Sequence, residues 1–162
     1  MRPLPLLLLA LLAAPAALPA ADVTLVRVWP GWRAADSFSR LSEYFSGQEN
    51  DGGQTVLRSQ PADRGGYYFL VRTQTAAAVA GARVELQVLL PGVEQPRTFT
   101  FPAALPAGSH VTLAGLTGSD WPAAKTVPVA WHLAVLDAKG AVLASAQSFL
   151  WAKPVAAVAA VK

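Results

Sequence analysis

The sequence contains no cysteine, and that absence alone excludes several classes of protein. A disulfide-stapled scaffold, a zinc site built on thiolates and a cysteine nucleophile all require the missing side chain. A lipoprotein is excluded as well, because its lipid is attached to a cysteine. At 162 residues the chain has the length of one domain, and packing alone must hold that domain together.

Charged side chains are also scarce, at 14% of the residues, whereas hydrophobic residues make up 53%. Intrinsically disordered chains show the opposite balance, so we expect a folded domain. The formal net charge of +3 is small, and the basic residues are scattered along the chain. This distribution argues against nucleic acid as a partner.

The familiar catalytic patterns are missing too. The sequence has no G-x-S-x-G elbow, no S-x-x-K and no phosphate-binding or dinucleotide-binding glycine motif. His110 and His132 fall on different predicted strands without further ligands, so no metal site is predicted. We therefore predict no catalytic residue, no metal and no cofactor. A small hydrolase remains an alternative, and it would need paired carboxylates from Glu43, Glu49, Asp51 and Asp63.

Residues 1–21 have the layout of a secretory signal peptide. A basic start is followed by an almost continuous apolar run over residues 4–12 and by small residues with prolines over residues 13–21. The apolar run is shorter than the roughly 20 residues that a membrane-spanning helix needs. The alternatives for cleavage are the Ala14-Pro15-Ala16 pattern and a later cut after Ala20 or Ala21. We expect an exported protein, periplasmic or extracellular, in a chain whose alanine-rich style is typical of bacteria.

No transmembrane segment is predicted after removal of this leader. The Ala/Val-rich tail, residues 153–162, is apolar but far too short to span a bilayer. It is expected to be a frayed end or a short docked helix, with an interaction tail as the functional alternative.

Residues 22–152 are predicted to be mostly β-strands. Over residues 83–90 apolar and polar side chains alternate, which is the pattern of a strand with one buried face. A long alternation over residues 127–136 places Trp131 among valines, so we predict that Trp131 lies in the core. The predicted strands are residues 23–29, 55–59, 66–73, 83–90, 97–101, 110–113, 127–136 and 141–151. Short strands with turn signals and no β-α-β rhythm indicate a sandwich or barrel, and single-face alternation favours an antiparallel β-sandwich.

A segment around residues 36–46 departs from the strand pattern. Apolar side chains recur there at helical spacing, namely Phe38, Leu41 and Phe45. Asp36 or Ser37 can cap the start of a helix at this point. We therefore expect one short helix inserted near the N-terminus of the sandwich, docked on a sheet by its aromatic stripe.

Five tryptophans are many for this length, and three of them fall in predicted turns. Trp29 and Trp32 flank Pro30-Gly31 with Arg33 beside them, and Trp121 lies in a second loop. Loop tryptophans are platforms for sugar rings or anchors for a protein partner, or they simply seal the ends of a sandwich. We take Trp29, Trp32, Arg33 and Trp121 as the candidate binding residues.

Three arginines are expected in the same region, namely Arg58, Arg64 and Arg72. They would bind an acidic or carboxylate group, or they would pair with Asp63 and Glu43. Surface ion pairs contribute little to stability, so the pairing alternative would carry no information about function.

The strand run over residues 67–151 resembles the immunoglobulin-like or fibronectin-type sandwich of small exported bacterial proteins. The loop over residues 116–122 and the Phe149-Leu150-Trp151 end add to that resemblance, although the cysteine pair of antibody domains is absent. Sandwiches of this class serve in adhesion, carbohydrate binding and assembly, so the resemblance alone determines no function. Our first hypothesis is an exported, non-catalytic module for protein interaction or cell-envelope structure. The alternative is a carbohydrate-binding module, so the expected partner is a protein or a polysaccharide.

Overall fold

The computed structural model describes residues 22–39 and 53–151, which form two four-stranded sheets. The strands are β1 Val23–Arg33, β2 Thr55–Arg58, β3 Gly66–Thr75, β4 Arg83–Leu89, β5 Arg97–Pro102, β6 Gly108–Thr117, β7 Ala130–Leu136 and β8 Val142–Gln147. Two 3₁₀ turns, Ala35–Phe38 and Gly118–Asp120, are the helical elements of this part of the chain. The predicted signal peptide and the Ala/Val-rich tail lie outside the described residues.

The strand order shows how the sandwich is assembled. Sheet 1 has the order β1-β3-β6-β2, and sheet 2 has the order β5-β4-β7-β8. Neighbouring strands are antiparallel except β2, which runs parallel to β6. The prediction of a mostly β, two-sheet sandwich is confirmed.

The core lies between the inner faces of the two sheets. On β4 the side chains alternate as predicted, with Val84, Leu86 and Val88 buried. From sheet 1, the fully buried ring of Phe69 meets the ring of Trp131 edge to face, with centroids 5.6 Å apart. Trp131 stays half-buried, but it packs against this core, so the predicted inward phase of β7 is right.

The strand β7 begins later than its alternation predicts. It spans Ala130–Leu136, and the side chains of Val127 and Val129 are exposed instead of facing the core. Pro128 gives the reason, because a proline has no backbone N–H to donate to the ladder.

The strand β1 is longer than predicted, and the expected turn at Pro30-Gly31 is part of it. From Arg27 onward it stays in register with β3 to its end, with Pro30 opposite Phe69. An edge strand tolerates a proline because the missing N–H need not join the ladder, and β1 is an edge of sheet 1. Trp29 and Trp32 therefore stand on a strand and not in a loop.

The predicted helix around residues 36–46 is not supported. Its first residues form the single 3₁₀ turn Ala35–Phe38, whose N-cap, Ala34, offers no side-chain cap. The Ser37 hydroxyl donates to the Ala34 carbonyl at 2.6 Å, and Ser37 N–H bonds to the same oxygen at 3.0 Å. Bonds of this i to i−3 kind close a tight turn and not an α-helical one. Residues 40–46 lie outside the described residues, and no helix within the described ranges is long and apolar enough to cross a membrane.

Candidate functional site

The structure separates the predicted binding residues into two places. Trp29 and Trp32 are three residues apart on β1, and strand side chains alternate between faces, so the two rings lie on opposite faces of sheet 1. Trp32 lies opposite Tyr67, whose ring belongs to the core, whereas Trp29 lies opposite Leu70. We call the face that carries Trp29 the outer face of sheet 1.

A β-bulge on β1 decides which side chains reach that outer face. The register of β1 on β3 shifts by one residue at Val26, which has no partner, and the next pair is Arg27 with Arg72. A bulge reverses the alternation that follows it. Arg27 therefore lies on the outer face, and Val28 packs against the core.

Trp29 forms the wall of a shallow depression on the outer face, which we call the outer groove. The groove measures about 290 Å³ and is lined by Val26, Arg27, Trp29, Leu70 and Arg72. Trp29 is 56% exposed, and the guanidinium carbon of Arg27 lies 3.7 Å from the centre of its ring. A cation–π contact of this kind holds both side chains at the surface and leaves them accessible.

Sequence reasoning missed Val26 and Leu70 as parts of this groove and treated Arg27 only as a neighbour. The available signal was the Leu25-Val26 dipeptide, where two adjacent apolar residues interrupt strict alternation. Such an interruption within a strand pattern is a sign of a bulge.

Arg33 lies on the outer face but contacts a different group. Its guanidinium is 5.9 Å from the ring of Phe38, and that of Arg58 is 5.2 Å from the same ring. Phe38 packs on Tyr68, with ring centroids 4.8 Å apart. Arg33 is half-buried in this arrangement, so it helps to cover Phe38 instead of lining the outer groove.

Tyr68 is the buried anchor of the outer face. It is only 1% exposed, and its hydroxyl donates to the Arg64 carbonyl at 2.7 Å and accepts from Arg58 Nε at 3.1 Å. Its partner on β6 is Gly115, where a Cβ atom would collide with the tyrosine ring. The absence of a side chain at this position is what lets the ring lie flat on the sheet.

Trp32 and Trp121 both line a second depression, which we call the end pocket. It measures about 480 Å³, and Asp63 and Arg64 also line it. Trp121 follows the 3₁₀ turn Gly118–Asp120 and is 5% exposed, which fits the alternative of a tryptophan that seals the end of the sandwich. Its ring stacks on Tyr67, with centroids 4.5 Å apart and planes 19° from parallel. The buried indole N–H finds no acceptor among the described residues.

Asp120 fixes the turn that leads into Trp121. Its carboxylate accepts hydrogen bonds from Gln60 Nε2 and from Arg97 Nη2, each at 2.9 Å. Burial raises the pKa of the Asp120 carboxyl, but hydrogen bonds from Gln60, Ser59 and Arg97, with the charge of Arg97, outweigh it and bring the pKa below its usual value. The ionised carboxylate ties the turn to β5 of the other sheet, which is a structural role.

The remaining titratable candidates do not converge within the described ranges. No group of three or more His, Asp or Glu side chains there could hold a metal ion. His110 Nε2 is 2.8 Å from Thr55 Oγ1, and His132 stacks on Trp151 at 5.7 Å. Of the carboxylates that a hydrolase would need, Asp63 lies in the end pocket, while Glu43, Glu49 and Asp51 fall outside the described residues.

The two packed sheets form a β-sandwich in which β2 and β6 are the parallel pair among antiparallel neighbours. No family model and no curated protein sequence matches the chain. Among solved structures, the chain is similar to an immunoglobulin-like protein from Pseudomonas aeruginosa, at 20% identity and a TM-score of 0.35. That likeness covers 80% of this chain and 96% of the other.

Proposed function

We propose that this protein is an exported, non-catalytic module that binds a protein partner through the outer groove of sheet 1. The observation that carries the proposal is Trp29, whose ring is 56% exposed on a strand face and braced by Arg27. Tryptophan and arginine are the residues most enriched among those that dominate binding energy at protein interfaces. Their combination beside apolar Val26 is the composition of an interface centre.

The groove is built on paired strands, and this supports a binding role. Trp29 and Arg27 belong to β1, and Leu70 and Arg72 belong to β3, the strand with which β1 pairs along its length. The backbone of a hydrogen-bonded sheet is held in place before a partner arrives, so little backbone conformational entropy is lost on binding. Export of the module rests on the signal-peptide layout of residues 1–21.

Site-specific photo-crosslinking tests this proposal in the cells that produce the protein. A photoreactive residue at Thr24, exposed on the same face of β1, is expected to give one crosslinked species of defined mass. Trp29→Ala in the same chain should remove that species, because the anchor of the interface is lost. The measurement is the intensity of the shifted band on a denaturing gel.

Two controls make this experiment specific. The photoreactive residue at Thr98, exposed on β5 of sheet 2, should not give the species, and Phe149→Ala, which truncates another exposed aromatic, should leave it unchanged. Equal crosslinking from Thr24 and Thr98, or a band that survives Trp29→Ala, would contradict the proposal.

A second candidate function, saccharide binding, is favoured by the end pocket. Trp32 is 40% exposed there, beside the polar groups of Asp63 and Arg64. An aromatic ring next to hydrogen-bonding side chains is a suitable surface for a sugar. In a titration with soluble oligosaccharides, the tryptophan fluorescence should change and Trp32→Ala should abolish the change, whereas Trp29→Ala should not. A flat titration across the series would remove this candidate.

A further inference from the structure

Arg27 and Arg72 are direct cross-strand partners on the outer face of sheet 1. We propose that this pair, together with Trp29, forms an anion-binding site for a carboxylate side chain of an acidic peptide segment. The inference rests on the proposed function and deepens it, because it states the chemistry of the partner: a protein segment that presents Asp or Glu to the outer groove.

The bulge at Val26 creates this pair. With unbroken alternation, Val26 would lie opposite Arg72 and Arg27 would point towards the core. The extra residue moves Arg27 into register with Arg72, so the two guanidinium groups are carried on facing positions of the same surface. Bulges commonly re-aim a side chain in this way near functional sites.

Nothing in the described part of the chain neutralises the pair. The described strands of sheet 1 carry Arg27, Arg33, Arg58 and Arg72 but no Asp or Glu. Among the described residues neither Arg27 nor Arg72 has an acidic partner. Like charges placed directly opposite each other destabilise a strand pair. A bound anion would remove that repulsion and gain charge-assisted hydrogen bonds from both guanidinium groups.

The shape of the groove favours a peptide over a sugar polymer. One side of the Trp29 ring is covered by the Arg27 guanidinium, so that side offers no flat platform for a sugar. Val26 and Leu70 supply an apolar wall beside the two charges. A peptide places a carboxylate and an apolar side chain within a few ångströms of each other, which matches this mixed lining.

The experiment selects ligands from a random dodecapeptide library displayed on phage, using the purified protein. Peptides rich in Asp and Glu should be enriched, and their synthetic forms should bind more weakly as salt is raised. Arg27→Gln with Arg72→Gln is expected to weaken binding about tenfold or more, measured by fluorescence anisotropy. The affinity of the Arg27→Lys, Arg72→Lys variant should lie between those of the parent and of the double Gln variant, because lysine keeps the charge but lacks the planar guanidinium.

The matched control removes the same charge elsewhere. Lys125→Gln with Lys139→Gln lowers the net charge equally at two exposed positions, and it should leave the affinity within about twofold. Arg72→Glu should abolish binding and also raise the melting temperature by about 1–3 °C, because it replaces cross-strand repulsion with attraction. That gain in stability shows that the loss of binding is not a loss of folding.

Several outcomes would overturn the inference. The inference is wrong if the selected peptides contain no acidic residues, or if Lys125→Gln with Lys139→Gln weakens binding as much as Arg27→Gln with Arg72→Gln does. It is also wrong if the protein binds polygalacturonate but no acidic peptide. The two proposals also fail separately. One such result is crosslinking that still depends on Trp29 while the affinity for peptides is unchanged by substitution of Arg27 and Arg72. In that case the outer groove remains the docking site, and the anion-binding role of the two arginines is wrong.

Discussion

Phe69→Ala is expected to lower the free energy of unfolding by about 3–5 kcal/mol, as truncation of a large core aromatic does. Phe69 is fully buried on the central strand β3. Its ring packs edge to face against Tyr67 of its own sheet and against Trp131 of the other sheet, each with centroids 5.6 Å apart. Alanine would remove both ring contacts and leave a cavity between the sheets. The measurement is urea unfolding followed by circular dichroism.

A surface phenylalanine serves as the control for Phe69. Phe149 is 78% exposed, so Phe149→Ala should change stability by no more than about 0.5 kcal/mol. Phe69→Leu keeps much of the buried volume, so its loss of unfolding free energy should lie between those of Phe149→Ala and Phe69→Ala. This variant remains measurable if Phe69→Ala does not fold. A loss below about 1 kcal/mol for Phe69→Ala would mean that the packing between the sheets is not as described.

Local patterns were enough to predict most strands. The alternation around Leu86 and the phase of Trp131 came from side-chain periodicity, which depends only on neighbours in the chain. The strand order of each sheet could not be predicted, because β3 pairs with β1 and β6 across long sequence separations. The prediction of a turn at Pro30 was wrong for the same reason, since a proline indicates a turn unless the strand is known to be at the edge of a sheet.

The candidate site was harder to predict because it depends on contacts between strands. Trp29 was singled out as a tryptophan in a predicted turn, but its place beside Arg72 in the outer groove depends on the pairing of β1 with β3. Whether Trp121 is exposed or seals the end of the sandwich could not be predicted, because its burial depends on stacking with Tyr67, about fifty positions away in the chain. Tertiary contacts of this kind leave no mark on local periodicity.

The two faces of sheet 1 differ in what they contribute to the molecule. The inner face, through Phe69 and Val71, supplies stability by burial. The outer face carries Arg27 and Arg72 as direct cross-strand partners, an arrangement of like charges that weakens a strand pair. Under the proposed binding role, the outward side chains of the outer groove contact the partner, while the buried Tyr68 anchors the outer face.

Gly115 on β6 lies directly opposite the Tyr68 anchor. Gly115→Ala is expected to lower the free energy of unfolding by about 2–3 kcal/mol, near the top of the range for overpacked sites. The added Cβ would meet the ring of Tyr68, which cannot yield without giving up its hydroxyl bonds to Arg58 and to the Arg64 carbonyl. Gly31 is the matched control, since it flanks Tyr68 on β1 and a Cβ there meets nothing. Gly31→Ala should stay within about 0.5 kcal/mol of the parent. Equal stability of the two variants in urea unfolding would show that Tyr68 does not lean towards β6.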